Sequence, residues 1–244
     1  MFDDIFKTLH PGTTPDFYPS DHPDNLSLTD NPYQFLLEIL PDLQSDPFID
    51  LPPSAFAELG ADMGTPAEDA AYWHPQQGSN SCAIVAQLSV YESITGIELS
   101  EDTACQIAES HGWFDPETGT PPSEMGKLLA ALGISTYQAY DATLEDIATA
   151  LEEGDKVIVG LDANEIWQPV YDPVDGTAIE QENGGHAVWV TGIEQTDDGS
   201  VQIILNDSGT PDGQRKVVDA TDFLNAWQDY GNFLVVADTP NPTG

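Results

Sequence analysis

The apolar pattern of this chain changes period once, near Gly154, and that change limits the folds open to it. Before Gly154 the apolar residues recur at helical spacing. Cys82 to Thr95 (CAIVAQLSVYESIT) places Ile84, Val85, Leu88, Tyr91 and Ile94 along a helix that Gly96 should stop. Ser79, Asn80 and Ser81 in front of it are residue types that cap a helix start, which puts Cys82 in the first turn. Further helices are predicted over Ser100 to Ser110, Pro122 to Leu132 (ending at Gly133) and Leu144 to Glu153. After Gly154 come short runs rich in valine and isoleucine: Val157 to Leu161, Ala187 to Thr191, Val201 to Leu205 and Phe233 to Val236. Asp197-Asp198-Gly199 sits between two of them as a hairpin loop would. Helices first and an antiparallel sheet afterwards is the α+β pattern.

Residues 1–70 read differently. They are dense in Pro, Asp, Ser and Thr with one apolar cluster, Tyr33 to Leu43, and predict an extended arm carrying a short helix. The domain proper is expected over 71–238, with 239–244 as a tail. Across 244 residues, 43 Asp and Glu stand against 5 Lys and Arg, a formal net charge of −38. Such a surface repels duplex DNA, RNA and anionic membranes, and it would steer a basic peptide inward; it also fits plain solubility or adaptation to high salt. The N-terminal stretch has no basic n-region followed by an apolar run, and no segment is apolar for long enough to span a bilayer, so a soluble, cytoplasmic protein is expected. Oligomeric state is not readable from the sequence.

Three segments carry candidate chemistry. A cysteine at a helix start is favoured as thiolate by the backbone amides and the helix dipole, and Cys82 has that setting. Cys105, inside the second predicted helix beside Ala104, Ile107 and Ala108, reads instead as a structural thiol. Free thiols are expected for both, and neither has a partner at metal-ligand spacing, so no metal and no cofactor are expected. His186 follows the Gly184-Gly185 pair at the mouth of a strand, where its ring is held and accessible. Asn206 and Asp207 end the next strand; either could accept the N–H of the far histidine nitrogen, and only one can, because neighbouring strand residues face opposite ways. Gln76, six residues before the cysteine, can donate with the Cys82 N–H to an oxyanion. Trp73, Trp113, Trp167, Trp189 and Trp227 are expected in the core with their N–H groups partnered, Trp73 and Trp189 lying nearest the site in sequence; Asp212-Gly213 reads as a turn.

In order and spacing, Gln76, Cys82, His186 and Asp207 resemble the papain-like cysteine peptidases. GGHAVWVTGIE followed by VQIILNDSG is similar to the C39-like branch related to double-glycine leader peptidases. The resemblance covers about Tyr72 to Ala237. It implies a papain-like α+β fold, thiol-dependent attack on a peptide or amide bond through a Cys-His-Asp(Asn) triad and an acyl-enzyme, a peptide or protein substrate, and no cofactor. Branch members often have Asp-Pro where this chain has Asp207-Ser208, and glycine after the nucleophile where it has Ala83. Motif match gives the third role to Asp207, with Asn206 as the alternative. Hydrolysis, acyl transfer and deamidation share the same acyl-enzyme. The competing reading is a catalytically dormant peptidase-like fold that binds a protein.

Overall fold

The computed structural model describes residues 62–239. The predicted arm helix over Tyr33 to Leu43 lies outside them, as does most of the predicted tail. Strand β1 (Met63–Gly64), helix α1 (Pro66–Asp69) and a 3-10 turn (Ala70–Tyr72) come first, then α2 (Cys82–Thr95) and α3 (Glu101–Ser110). A 3-10 turn (Pro122–Glu124), α4 (Lys127–Ala131), β2 (Thr136–Ala139), α5 (Leu144–Glu153), β3 (Lys156–Asp162) and α6 (Ala163–Trp167) follow. The chain continues through β4 (Gly185–Gln195), β5 (Val201–Asn206), β6 (Lys216–Asp219), α7 (Ala220–Gln228) and β7 (Leu234–Ala237).

All strand pairs are antiparallel, in the order β2-β7-β3-β4-β5-β6. Strand β3 pairs with Gly185 to Val190 of β4, and β1 takes up the same edge further on, at Gly192 and Ile193. Residues from Met63 onward, which composition assigned to the arm, are therefore part of the folded body. Gly64 is required there: its φ is +80°, and a Cβ would lie 2.3 Å from the Thr191 carbonyl oxygen.

The sheet is covered on both faces, which explains why its strands read as continuous apolar runs. Val157, Val159, Leu161, Val188, Val190, Leu234 and Val236 pack with α5 and α7 residues such as Ile147, Leu151, Phe223 and Trp227. The alternate residues Ile158, Ala187, Trp189, Phe233 and Val235 pack with Ala83, Ala86, Val90 and Tyr91 of α2 and with Leu129 of α4. The period of two along each strand thus assigns the layers.

Helix α2 matches its predicted span, and Gly96 closes it in the left-handed region at φ 69°. Helix α5 also matches, with a reciprocal capping box between Thr143 and Asp146. The helix predicted over Pro122 to Leu132 is broken: Gly126 adopts φ 87°, so a 3-10 turn and a short helix replace it. Gln87, fully buried in α2, holds this break in place. Its Nε2 donates to Ala83 O at 2.9 Å, and its Oε1 accepts from Gly126 N at 3.0 Å and more weakly from Leu129 N at 3.4 Å.

Gln87→Ala would leave those buried N–H groups without an acceptor, at about 1–3 kcal/mol for an unsatisfied group. Urea unfolding should show a midpoint lowered by an equivalent of about 2 kcal/mol at unchanged slope; an unaltered midpoint would refute this role for Gln87.

Candidate active site

Cys82 opens α2, and the loop before it is fastened from one side. Glu101, the first residue of α3, accepts from Gln77 N and Gly78 N at 2.8 Å each and from Ser81 Oγ at 2.6 Å. Ser81 is the N-cap residue, but its hydroxyl turns to Glu101 and to Gly78 O and makes no bond to a first-turn N–H. The sequence predicted a capping serine; here the helix start is left open for the thiol.

His186, the second residue of β4, is buried, and its Nε2 lies 2.7 Å from Asp207 Oδ1. That contact leaves Nδ1 for Cys82. Asp207 follows the last residue of β5 and is fully buried. Its Oδ1 also accepts from Gly209 N at 2.8 Å, its Oδ2 accepts from Trp167 Nε1 at 2.7 Å, and its carbonyl accepts from Trp73 Nε1 at 2.7 Å. Trp167 sets an edge against the His186 ring, with centroids 5.2 Å apart.

The electrostatics follow from these contacts. Burial raises the Cys82 thiol, but the hydrogen bond and charge of His186, with the N–H groups of Ala187 and Ala83, outweigh it and bring the thiol below its ordinary value. Burial lowers His186, yet bonding to Asp207 and Cys82 lifts it to about 9. For Asp207 burial acts upward, and His186, Trp167 and Gly209 together hold the carboxyl below its usual range. The three groups titrate as a coupled set that favours a thiolate beside an imidazolium. Cys105 is the contrast: burial and the carboxylates of Glu101, Asp102 and Glu109 push it to about 11, so it is a poor thiolate.

Asn206 does not face His186. Its Nδ2 donates to Asp69 O at 2.9 Å and its Oδ1 accepts from Arg215 N, so the alternation along β5 turns it to the far side. Gln76 lines the same cleft as Cys82 and His186, with its Nε2 donating to Gly78 O at 2.8 Å and more weakly to Ser79 O at 3.3 Å.

Trp167 was expected in the core and instead stands at the cleft rim, more than a third exposed. Trp189 is wholly buried, and its N–H has no partner among the described residues, against the expectation that every indole would find one. Gly213, read from the sequence only as part of a turn, is required as glycine: a Cβ there would lie 1.8 Å from the Asp207 carbonyl oxygen, while its own carbonyl accepts the Asp207 N–H at 2.9 Å. The Trp167 contact to Asp207 joins segments forty residues apart, so local pattern held no signal for it.

The cleft encloses about 600 Å³ between the helical side (Ser79, Asn80, Cys82, Met125) and the sheet side (Gly160, Trp167, Gly185, His186, Tyr230). Among the described residues its lining holds no Asp, Glu, Lys or Arg. No described helix is long and apolar enough to cross a membrane.

Residues 68–235 match the model of the Peptidase_C39 like family. Two uncharacterized proteins, from Mycobacterium tuberculosis and Mycobacterium bovis, are each 31% identical over 207 residues, covering 75% of this chain and 87% of theirs. Among solved structures, one described as a C39-like peptidase from Bacillus anthracis aligns with TM-score 0.51 at 10% identity, over 73% of this chain and 98% of that one. Digestive procathepsin L 3 of Tenebrio molitor aligns with TM-score 0.54 at 16% identity, over 73% and 70%. At those identities the structures speak for the fold alone, while the family match spans most of the chain. The chain belongs to the Peptidase C39-like family and has its papain-like fold.

Proposed function

We propose that this protein is a cysteine peptidase or related amide hydrolase with Cys82 as nucleophile, His186 as general base and acid, and Asp207 as the residue that positions His186. The observation that carries the reading is the Asp207 carboxylate, buried and held by three donors, one of them a histidine whose other nitrogen serves a thiol at a helix start. The Cys82 sulfur attacks the amide carbon, an S–C bond forms, and the carbonyl electrons move to oxygen. The N–H of Cys82, at the free start of α2, donates to that oxyanion. Gln76 adds a second donor by giving up its longer bond to Ser79 O. As the C–N bond breaks, His186 passes its proton to the leaving amine. Water then attacks the thioester carbon as His186 takes its proton, the C–S bond breaks with its electrons returning to the Cys82 sulfur, and the acid leaves.

A peptide segment is the natural substrate for an open cleft with aromatic rims and a glycine floor. Any preference for basic peptides would come from the long-range field of a chain at net charge −38, since the cleft lining carries no carboxylate.

Alkylation by iodoacetamide should be fast at Cys82 well below the roughly 8.5 of a free thiol, and should change again as His186 loses its proton near pH 9. The sign follows from the shifts. His186, raised when folded, contributes stability below its ordinary value and loses it as pH rises through about 9. Asp207, depressed, contributes above its ordinary value and loses it as pH falls through the folded one. Cys82→Ala should abolish turnover of peptide substrates with the fold retained. Slow alkylation of Cys82 at every pH would instead favour the dormant binding module.

Asp207 and Asn206 separate function from support. Asp207→Ala should slow alkylation at pH 6 by about tenfold or more, because a hydrogen bond to a charged group is worth about 1.5–3 kcal/mol. Trp167→Phe should slow it less and move the His186 step downward. Asn206→Ala should lower the melting temperature and leave the pH profile of alkylation in place; the reverse pattern would reassign the third role.

A further inference from the structure

Behind the candidate catalytic strand, three carboxylates meet that the proposed chemistry does not use. Asp162 ends β3, Glu165 lies in α6 and Asp229 is the C-terminal cap residue of α7; one oxygen of each lies within 4.8 Å of the others. The sequence argument against metal considered cysteine spacing only, and Asp229 reaches Asp162 and Glu165 from a distant segment.

The three carboxylates are close together and largely enclosed by protein. Asp162 is completely buried: Asn164 N and Gly184 N donate to its Oδ1 at 2.8 and 2.9 Å, while its Oδ2 has no partner among the described residues. Glu165 is 2% exposed, receiving Asn225 Nδ2 at 2.6 Å and, weakly, Gln181 N at 3.4 Å. Asp229 also has a buried, unpartnered Oδ2, and it stands at a helix C-terminus, where the dipole already presents negative charge. Burial first, then Asp229, Glu180 and Asp162, push Glu165 up to about 7. Burial, Glu180 and Asp162 push Asp229 to about 6. Among the described residues, lysine pairs with Glu124 and Asp69 and not with this cluster.

We infer that Asp162, Glu165 and Asp229 form a binding site for a hard divalent cation, calcium in the first place. An all-carboxylate donor set selects oxygen-seeking cations over zinc or copper. Oxygens on opposite sides of Ca²⁺, at about 2.4 Å each, are about 4.8 Å apart, so one ion can span the group, whereas Mg²⁺ at about 2.0–2.1 Å requires a tighter octahedron. The unpartnered oxygens of Asp162 and Asp229 supply donors without breaking existing bonds. The site is coupled to the cleft by register: Asp162 pairs with Gly185, beside Leu161 with His186, and it caps the helix that ends at Trp167. Filling it would fix the strand mouth that carries His186. The inference stands whether or not the cleft is catalytic.

The test is calorimetric titration of the full chain, stripped with a chelator, with Ca²⁺ and separately Mg²⁺ in about 1 M KCl, where screening to about 3 Å suppresses diffuse binding to the acidic surface. Expected is one saturable Ca²⁺ per chain, with Mg²⁺ weaker, and binding weakened at least about tenfold in Asp229→Asn and Glu165→Gln, the range seen when metal-site residues are altered. Melting adds a crossed readout. Metal-free Asp229→Asn should melt above the metal-free parent, since one repelling charge is gone, but should lose the rise that Ca²⁺ gives the parent. Absence of saturable uptake by the parent, or uptake by both variants equal to the parent's, overturns the inference.

Discussion

A carboxylate buried in a chain that has 5 Lys and Arg for 43 acidic residues cannot count on a basic partner, and Asp207 is such a carboxylate. Its compensation comes from an indole, a backbone amide and an imidazole. An uncharged imidazole would supply only a neutral hydrogen bond, so the buried aspartate itself stabilises the protonated form of His186. That imidazolium in turn holds the Cys82 thiol down against the effect of burial. Removing the aspartate would weaken both later effects, because the upward shift of His186 draws on Asp207 and the downward shift of Cys82 draws on His186. Lys156, with its side chain 13% exposed, is committed elsewhere, to Asp69 at 2.8 Å and over the Trp189 ring.

How much of this was legible in sequence depended on whether the cause was local. Helices α2 and α5 were readable to the residue because their stop glycines and, for α5, its capping box lie within the segments themselves. The break at Gly126 was not, because the acceptor that stabilises it belongs to Gln87 in another helix. Strands β2 and β6 were missed for a related reason. Both are sheet edges with exposed residues such as Tyr137 and Val217, so they lack the apolar runs that marked the central strands. Helix α7 hid behind the emphasis on valine runs, although Phe223, Ala226 and Trp227 form a helical stripe.

At the candidate site, residue types and order singled out Cys82, His186 and the Asn206-Asp207 pair, and which of that pair reaches His186 is decided by the pleat. Asn206 pairs with Trp189 inside the sheet and spends its amide on Asp69 O and Arg215 N, whereas Asp207 is already past the strand and free to turn toward β4. Trp167 was misplaced in the core because a tryptophan looks the same from sequence whether its ring is covered by protein or covers something itself.

Cys82 belongs to the helical side and His186 and Asp207 to the sheet, so the distance across the cleft depends on what joins the two. Part of the joining is done by the segment before Cys82. Gln76 N donates to Ser208 O at 2.9 Å, Ser208 Oγ donates to Gln76 Oε1 at 3.1 Å, and Trp73 donates to Asp207 O. These bonds bind the loop before Cys82 to the turn that carries Asp207, and Gly213 lets that turn fold back closely enough to accept the Asp207 N–H. Ser208 stands where branch members often have proline, and a proline could supply no hydroxyl for Gln76. The substitution that looked like a departure from the family pattern thus provides one of the bonds that set the width of the cleft.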